Sequence, residues 1–336
     1  MEAQPWIDAI VREPEEDGHW LVYADWLLEH ADTRGELITL GLAEQSDEAR
    51  KRIRMLEGDE ARLLSPRLFE QSHFWQFEWR RGFLHGATLG GAMDDPPTAE
   101  AIEAVFADPH AGLLHRLDLS MHDNDEIFAP VTAAIRSWLS ALKVSGRVTD
   151  AGGLAAATPK LRYLSVDDWS MGEDEGDGLT ELVHPGIVEL DAYGCVALQD
   201  HFELTSLQTL RWSSDGMFLP TSILYHPPPR LVDLELGAEG AMALERLPDA
   251  TVLSQLRSLA LGAVDGRCLE TLLLARSAAF AHLEHLRVAV FSATPRWPEA
   301  EVVTLRTALE RALPRTKLSI SWGSLGPVPP QPPEPL

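Results

Sequence analysis

The stretch Leu114-His115-Arg116-Leu117-Asp118-Leu119 sets the reading of this chain, because its spacing of apolar residues keeps returning. The phrase, apolar-x-x-apolar-x-apolar, recurs as Leu139…Leu142…Val144, Leu161…Leu164…Val166, Ile187…Leu190…Ala192 and Leu207…Leu210…Trp212. It continues as Leu231…Leu234…Leu236, Leu256…Leu259…Leu261 and Leu283…Leu286…Val288. A degenerate last copy ends in Leu318 and Ile320, and a first copy reads Leu84…Ala87…Leu89. The middle apolar residues, Ala87 to Leu318, follow one another at steps of 30, 25, 22, 26, 20, 24, 25, 27 and 32 residues. The last two apolar residues of each phrase are separated by one residue, so they face one side of a strand. One unit buries too little apolar surface to offset the entropy of ordering itself, so units must stack on their neighbours as parallel strands with the apolar row inside.

A period of about 20–29 residues with one strand and one return segment is that of leucine-rich repeats. Residues 83–322 resemble the ribonuclease-inhibitor-like kind found in bacteria. The resemblance implies an α/β solenoid, a horseshoe with parallel strands on its concave face. One feature departs from that pattern. The Asn that follows the strand and ties successive turns together is missing, and His122, Arg147, Trp169 and Cys195 stand in its place. The return segments differ among themselves. Ala129–Trp138, Leu269–Phe280 and Val302–Ala312 read as helical, whereas Pro227-Pro228-Pro229 does not. An uneven horseshoe is expected.

The first 80 residues lack the phrase and read as helices. Trp20, Leu21, Ala24, Leu27 and Leu28 form a helical stripe. Thr33 with Glu36 three residues on has the form of a capping box, opening a helix that runs to about Gln45. A charged helix spans roughly Asp47–Leu64. The run Leu21-Val22-Tyr23-Ala24-Asp25-Trp26-Leu27, continued by Glu29-His30-Ala31-Asp32-Thr33-Arg34-Gly35-Glu36-Leu37-Ile38, resembles the bacterial repeat-companion domain, which often precedes leucine-rich repeats. That resemblance implies no enzymatic activity. Asp25, Arg34 and Glu36 are read as an ion pair and a cap that hold helices together rather than as a docking site. Phe74, Trp75, Phe77 and Trp79 precede the first copy and are expected to cover the open end of the stack. The expected organisation is a helical domain over 1–80, the repeats over 81–323 and a Pro-rich tail over 324–336.

Charge and cysteine content narrow the setting. A formal net charge of −24 argues against nucleic acid and against an anionic membrane surface, both of which call for a basic footprint. The same charge would draw in a basic partner, and it also serves solubility. Two cysteines, Cys195 and Cys268, are too few for a disulfide framework, and the N-terminus lacks a signal peptide's basic and apolar regions. A reduced, cytoplasmic setting is expected.

No catalytic signature stands out. G-x-S-x-G, the P-loop, H-E-x-x-H and a strand-linked G-x-G-x-x-G are all missing. His282 and His285 lie at the start of a strand, where alternation would split them across its two faces, so they do not suggest a metal site. Gly172-Glu173-Asp174-Glu175-Gly176-Asp177-Gly178 lacks the ligand order of a calcium loop and reads as a solvated loop. The expectation is a non-enzymatic protein with no cofactor and no metal.

The residues beside each buried leucine point outward from the sheet. In the middle copies these include Tyr163, Ser165, Asp167, Glu189, Asp191, Tyr193, Thr209, Arg211, Ser213, Asp233 and Glu235, with Trp169 just beyond its strand. Tyr, Trp and Arg are the residues that anchor interfaces. Tyr163, Asp167, Trp169, Glu189, Asp191, Tyr193, Arg211, Asp233 and Glu235 are therefore the candidate contacts for a protein partner with a basic rim. The same carboxylates also keep an exposed sheet soluble. Toward the last copies Arg287 and Lys317 make the face less acidic. An inhibitor or immunity-type protein that masks a basic effector, or a targeting subunit of an enzyme complex, are the alternative roles.

Overall fold

The computed structural model describes residues 4–43, 46–90, 98–119, 125–136, 138–145, 151–167, 182–194, 203–213, 221–237, 240–265, 268–291 and 299–322. The chain divides into two compact units, one of Met1–Gly176 with Glu181–Gly186, the other of Asp177–Thr180 with Ile187–Leu336.

The first unit opens with six helices: α1 (Gln4–Arg12), α2 (Asp17–Glu29), α3 (Arg34–Leu42), α4 (Asp47–Glu57), α5 (Glu60–Leu63) and α6 (Pro66–Glu70). On α2 the buried stripe is Trp20, Tyr23, Ala24 and Leu27, packed with Ile10, Ile38 and Phe83. Leu21 and Leu28, expected in that stripe, are 47% and 50% exposed, because the 20-23-24-27 spacing turns them away from the core. Helices α2 and α3 approach closely at Gly35. A Cβ there would lie 2.6 Å from the Ala24 carbonyl oxygen and 2.7 Å from Leu28 Cγ, so only glycine fits.

The expected capping box does not form. Thr33 has helical backbone angles and its hydroxyl caps nothing. Asp32 takes over by accepting from the Arg34 backbone N–H at 3.0 Å and from Arg34 Nε at 2.8 Å. Glu36 pairs outward with Arg52 at 2.7 Å. The charged helix expected to reach Leu64 stops at Gly58, where the glycine N–H bonds to the Arg54 carbonyl, and α5 starts afresh.

Strands β1 (Trp75–Arg80) and β2 (Phe83–Leu89) form an antiparallel hairpin. Its turn residues Arg81 and Gly82 have φ of 53° and 80°, the paired left-handed conformations that match strand twist. Trp75, Phe77 and Trp79 lie in series along β1, with ring centroids 6.2 Å and 6.0 Å apart. Beyond the hairpin, β3 (Arg116–Leu119), β4 (Ala141–Ser145) and β5 (Tyr163–Asp167) add in parallel. The phrase sets their register, since Ala87 pairs with Leu117, Leu117 with Leu142, and Leu142 with Leu164.

The second unit repeats the arrangement with β6 (Glu189–Tyr193), β7 (Thr209–Ser213), β8 (Asp233–Leu236), β9 (Ser258–Asp265), β10 (His285–Phe291) and β11 (Lys317–Trp322). All adjacent pairs are parallel, and Leu190, Leu210, Leu234, Leu259, Leu286 and Leu318 form one row of register partners. Each of the first five is buried, whereas Leu318 is half-buried on the last strand. The chain is thus an α/β protein whose strands are mostly parallel and follow one another in sequence order within each unit.

Main-chain groups tie successive strands together where the phrase begins. The carbonyl of its second residue accepts from two N–H groups of the next copy. His115 does so for Ser140 and Ala141, Gln208 for Val232 and Asp233, and Arg257 for Glu284 and His285. This ladder depends on no side chain, so the repeats hold register without Asn. A buried histidine reinforces the first unit. His184 Nε2 lies 2.9 Å from the Thr158 carbonyl, and Nδ1 accepts from the Gly186 N–H at 3.0 Å. That pair of bonds requires the neutral ring with its proton on Nε2.

The return segments are as uneven as expected. Glu299–Ala312 is a regular helix. Leu269–Leu274 is π-helical and a short α-helix follows at Ser277–Phe280. The helix expected over Ala129–Trp138 instead spans Asp125–Thr132. Beyond it, Arg136 turns back, bonding through Nη2 to the Pro130 carbonyl at 3.3 Å and stacking over the Phe106 ring at 4.0 Å. No helix among the described residues is long and apolar enough to cross a membrane.

Candidate functional site

The outward positions of β6 to β11 line an open groove of about 890 Å³ in the second unit. Tyr193, Arg211, Asp233 and Glu235 contribute to it, as do Ser258, Ala260, His285, Arg287, Lys317 and Ser319. Register places these side chains in two rows across the strands. One runs Glu189, Thr209, Asp233, Ser258, His285, Lys317. The other runs Asp191, Arg211, Glu235, Ala260, Arg287, Ser319. The small Ser258 and Ala260 form low ground on β9. Long charged side chains rise from the strands on either side.

Arg211 organises the β6 end. Its Nη2 lies 2.6 Å from Glu189 Oε1 and its Nη1 donates to Asp191 Oδ1 at 2.7 Å. Burial alone would lower the guanidinium pKa. The charges and hydrogen bonds of Asp191 and Glu189 outweigh burial and hold it above its ordinary value. Asp191 is only 1% exposed. It therefore serves as a buried counter-ion of Arg211 and cannot meet a partner directly, unlike the outward contact expected from strand alternation. Ser165 in the first unit is likewise buried at an outward position.

Across β9, Arg287 Nη2 reaches Glu235 Oε2 at 2.6 Å, spanning Ala260. Asp233 sits in the neighbouring row. Burial raises its carboxyl above the usual range, offset in part by His285, Arg211 and Arg257. Lys317 is exposed. Neither Asp233 nor Lys317 has an ion-pair partner within 4 Å among the described residues.

Tyr163 and Asp167 lie half-buried on β5 in the first unit. On the same unit's strands Lys143 Nζ is 3.8 Å from Asp118, and Arg116 is 3.8 Å from Glu78. Trp169, the acidic run 172–178, Cys195, His122, Arg147 and the Pro-rich stretch 327–335 lie outside the described residues. Cys268 is half-buried. His282 lies in the turn before β10, not on the strand as expected, with its Nε2 2.7 Å from the Leu253 carbonyl, whereas His285 on β10 faces the groove. Among the described residues no group of three or more His, Cys, Asp or Glu could hold a metal ion.

The expected contacts Tyr193, Arg211, Asp233 and Glu235 come together in one groove. His285, Arg287 and Lys317 complete the groove on its far side; the sequence marks Arg287 and Lys317 as a loss of acidity there, and His285 only as a histidine unsuited to a metal site. The rule that found the acidic side would have found all three, because each flanks a middle leucine of the phrase. In the N-terminal helices Arg34 is 7% exposed, paired with Asp32 and placed 5.4 Å from the Phe83 ring. Burial pulls the Asp32 carboxyl upward, but the hydrogen bonds from Arg34 outweigh it and hold the carboxyl below its ordinary value. Asp25 is exposed. Comparison with family models and with curated proteins gives no match for this chain.

Proposed function

We propose that this chain is a non-enzymatic interaction module that binds a protein partner on the strand face of its second unit. In this reading the chain is a leucine-rich-repeat solenoid of the ribonuclease-inhibitor-like kind, its N-terminal helices are a repeat-companion domain, and the aromatic-bearing β1 covers one end of the stack. In-register pairing of the phrase leucines supports the repeat reading. The single observation that carries the functional reading is the groove itself. It is open and of mixed polar and apolar lining, walled by Tyr193 and long charged side chains, and floored by small residues on β9. Such a surface suits a protein side chain better than it suits an enclosed small substrate.

Affinity capture from the native cell tests this with three forms of the protein. A partner retained by the wild type and by Tyr225→Ala, which alters an exposed return-segment residue, should be lost with Tyr193→Ala combined with Glu235→Ala. Equal recovery by all three forms would remove the face from consideration.

A further inference from the structure

The two rows of the groove share a polarity but differ in how it is satisfied. Both carry acid on β8 and base on β10 or β11. In one row Glu235 and Arg287 close on each other over Ala260 at 2.6 Å. In the other, Asp233 and Lys317 stand apart with Ser258 and His285 between them and no ion pair joining them. The internal bridge shows that an acid–base pair is what this surface accommodates across β9. The open row lacks its counterpart. Arg287 and Glu235 already neutralise each other, so a purely basic partner would meet repulsion at Lys317. A purely acidic partner would meet repulsion at Asp233.

We infer that the partner contributes an extended segment with a basic and an acidic side chain four residues apart, the base seated at Asp233 and the acid at Lys317. The spacing comes from strand geometry. From β8 to β11 is three steps of about 4.8 Å, roughly 14 Å, and an extended chain covers about 13 Å in four residues. Residues i and i+4 of an extended segment lie on one face, so both side chains reach the groove together. Ser258 offers a hydroxyl to the main chain passing over it. A base at Asp233 also supplies the charge that its half-buried carboxylate otherwise draws only from more distant groups. The inference rests on the docking reading above.

Four fluorescein-labelled heptapeptides test it on the full-length protein by anisotropy at about 20 mM salt, where exposed charges are least screened. They carry Lys and Glu, Lys and Lys, or Glu and Glu four residues apart in a Ser/Thr background, the mixed peptide being made in both orders. One order of the mixed peptide should bind about tenfold tighter than either like-charged peptide, the value of one additional charge pair. Lys317→Glu should invert the preference toward the Lys/Lys peptide. Lys317→Gln should erase the discrimination between Lys/Glu and Lys/Lys. Both are changes at an exposed position, and an unchanged circular dichroism melt verifies the fold. Tighter binding of the Lys/Lys peptide by the wild type would overturn the inference, and so would equal binding of all peptides. If the peptides give either of those results while the captured partner is lost with Tyr193→Ala combined with Glu235→Ala, this inference has failed and the docking reading stands. If that loss is also missing, both have failed.

Discussion

Arg34 in the first unit and Arg211 in the second are both drawn out of water beside carboxylates, yet their surroundings differ. Arg34 is 7% exposed, takes its partner from two residues earlier and lies against Phe83, so it fixes the α2–α3 junction onto the hairpin. Arg211 takes both carboxylates from the neighbouring strand and keeps 28% of its side chain exposed on the groove wall. The first arrangement closes a core. The second consumes charge on a surface, while Asp233 on the next strand and Lys317 on the last have no ion-pair partner within 4 Å among the described residues. Where the counter-ions come from separates an arginine that closes a core from one that lines an open groove.

Arg34→Ala is expected to have the largest effect. It leaves Asp32 part-buried without its partner and should lower the unfolding free energy by about 3–5 kcal/mol in urea denaturation. A loss below about 1 kcal/mol would show that Arg34 is not the fastener described. Arg211→Ala should cost less, about 2–3 kcal/mol, because water reaches the vacated site but Asp191 stays buried. Arg211→Lys should recover only part of that loss, since an ammonium cannot replace the fork that holds two carboxylates. If Arg211→Ala proves costlier than Arg34→Ala, the contrast between core and surface arginine is reversed.

Acid should act on the first unit through His115. Burial, then the neighbouring His85, Arg80 and Lys160, lower its pKa from 6.5 to about 4, and the His85 and His115 rings lie 5.2 Å apart. Between these values the unfolded chain binds the proton and the folded chain does not, so stability is lost as pH falls from about 6.5 toward 4. The loss should be on the order of 1–3 kcal/mol, reduced from the full shift because solvent reaches part of the ring. His115→Gln should flatten this part of the pH profile, and an unchanged slope in that variant would assign the acid sensitivity elsewhere. The smallest effect belongs to Glu36 and Arg52. Their pair is exposed, and a double-mutant cycle with Glu36→Gln and Arg52→Gln should give a coupling within measurement error. A clear coupling would mean that surface pairs in this chain do more than that.

The strand register was legible because it depends on a repeating apolar spacing. Leu190 through Leu318 read the same way in sequence and in the pairing of β6 to β11. Which outward residues face solvent was less legible. Asp191 and Glu189 look like a contact surface until Arg211, twenty residues on from Asp191, is brought beside them by register. The helical details failed for local reasons. The Thr33 capping box lost to the Asp32–Arg34 contact, and the α2 stripe shifted because Tyr23 packs inward with Phe83, at a centroid distance of 5.7 Å, while Leu28 lies over Gly35. Composition does not encode these competitions; each turns on a neighbour that only the fold supplies.

The central claim is that the outward strand face of the second unit meets a protein partner. Photo-crosslinking groups placed at Tyr193 and Ser319, on the groove, and at Tyr225, on a return segment, test it most directly in native extract. The expected result is one crosslinked partner of the same mass from Tyr193 and Ser319 and none from Tyr225. A partner captured from Tyr225 but from neither groove position would contradict the account.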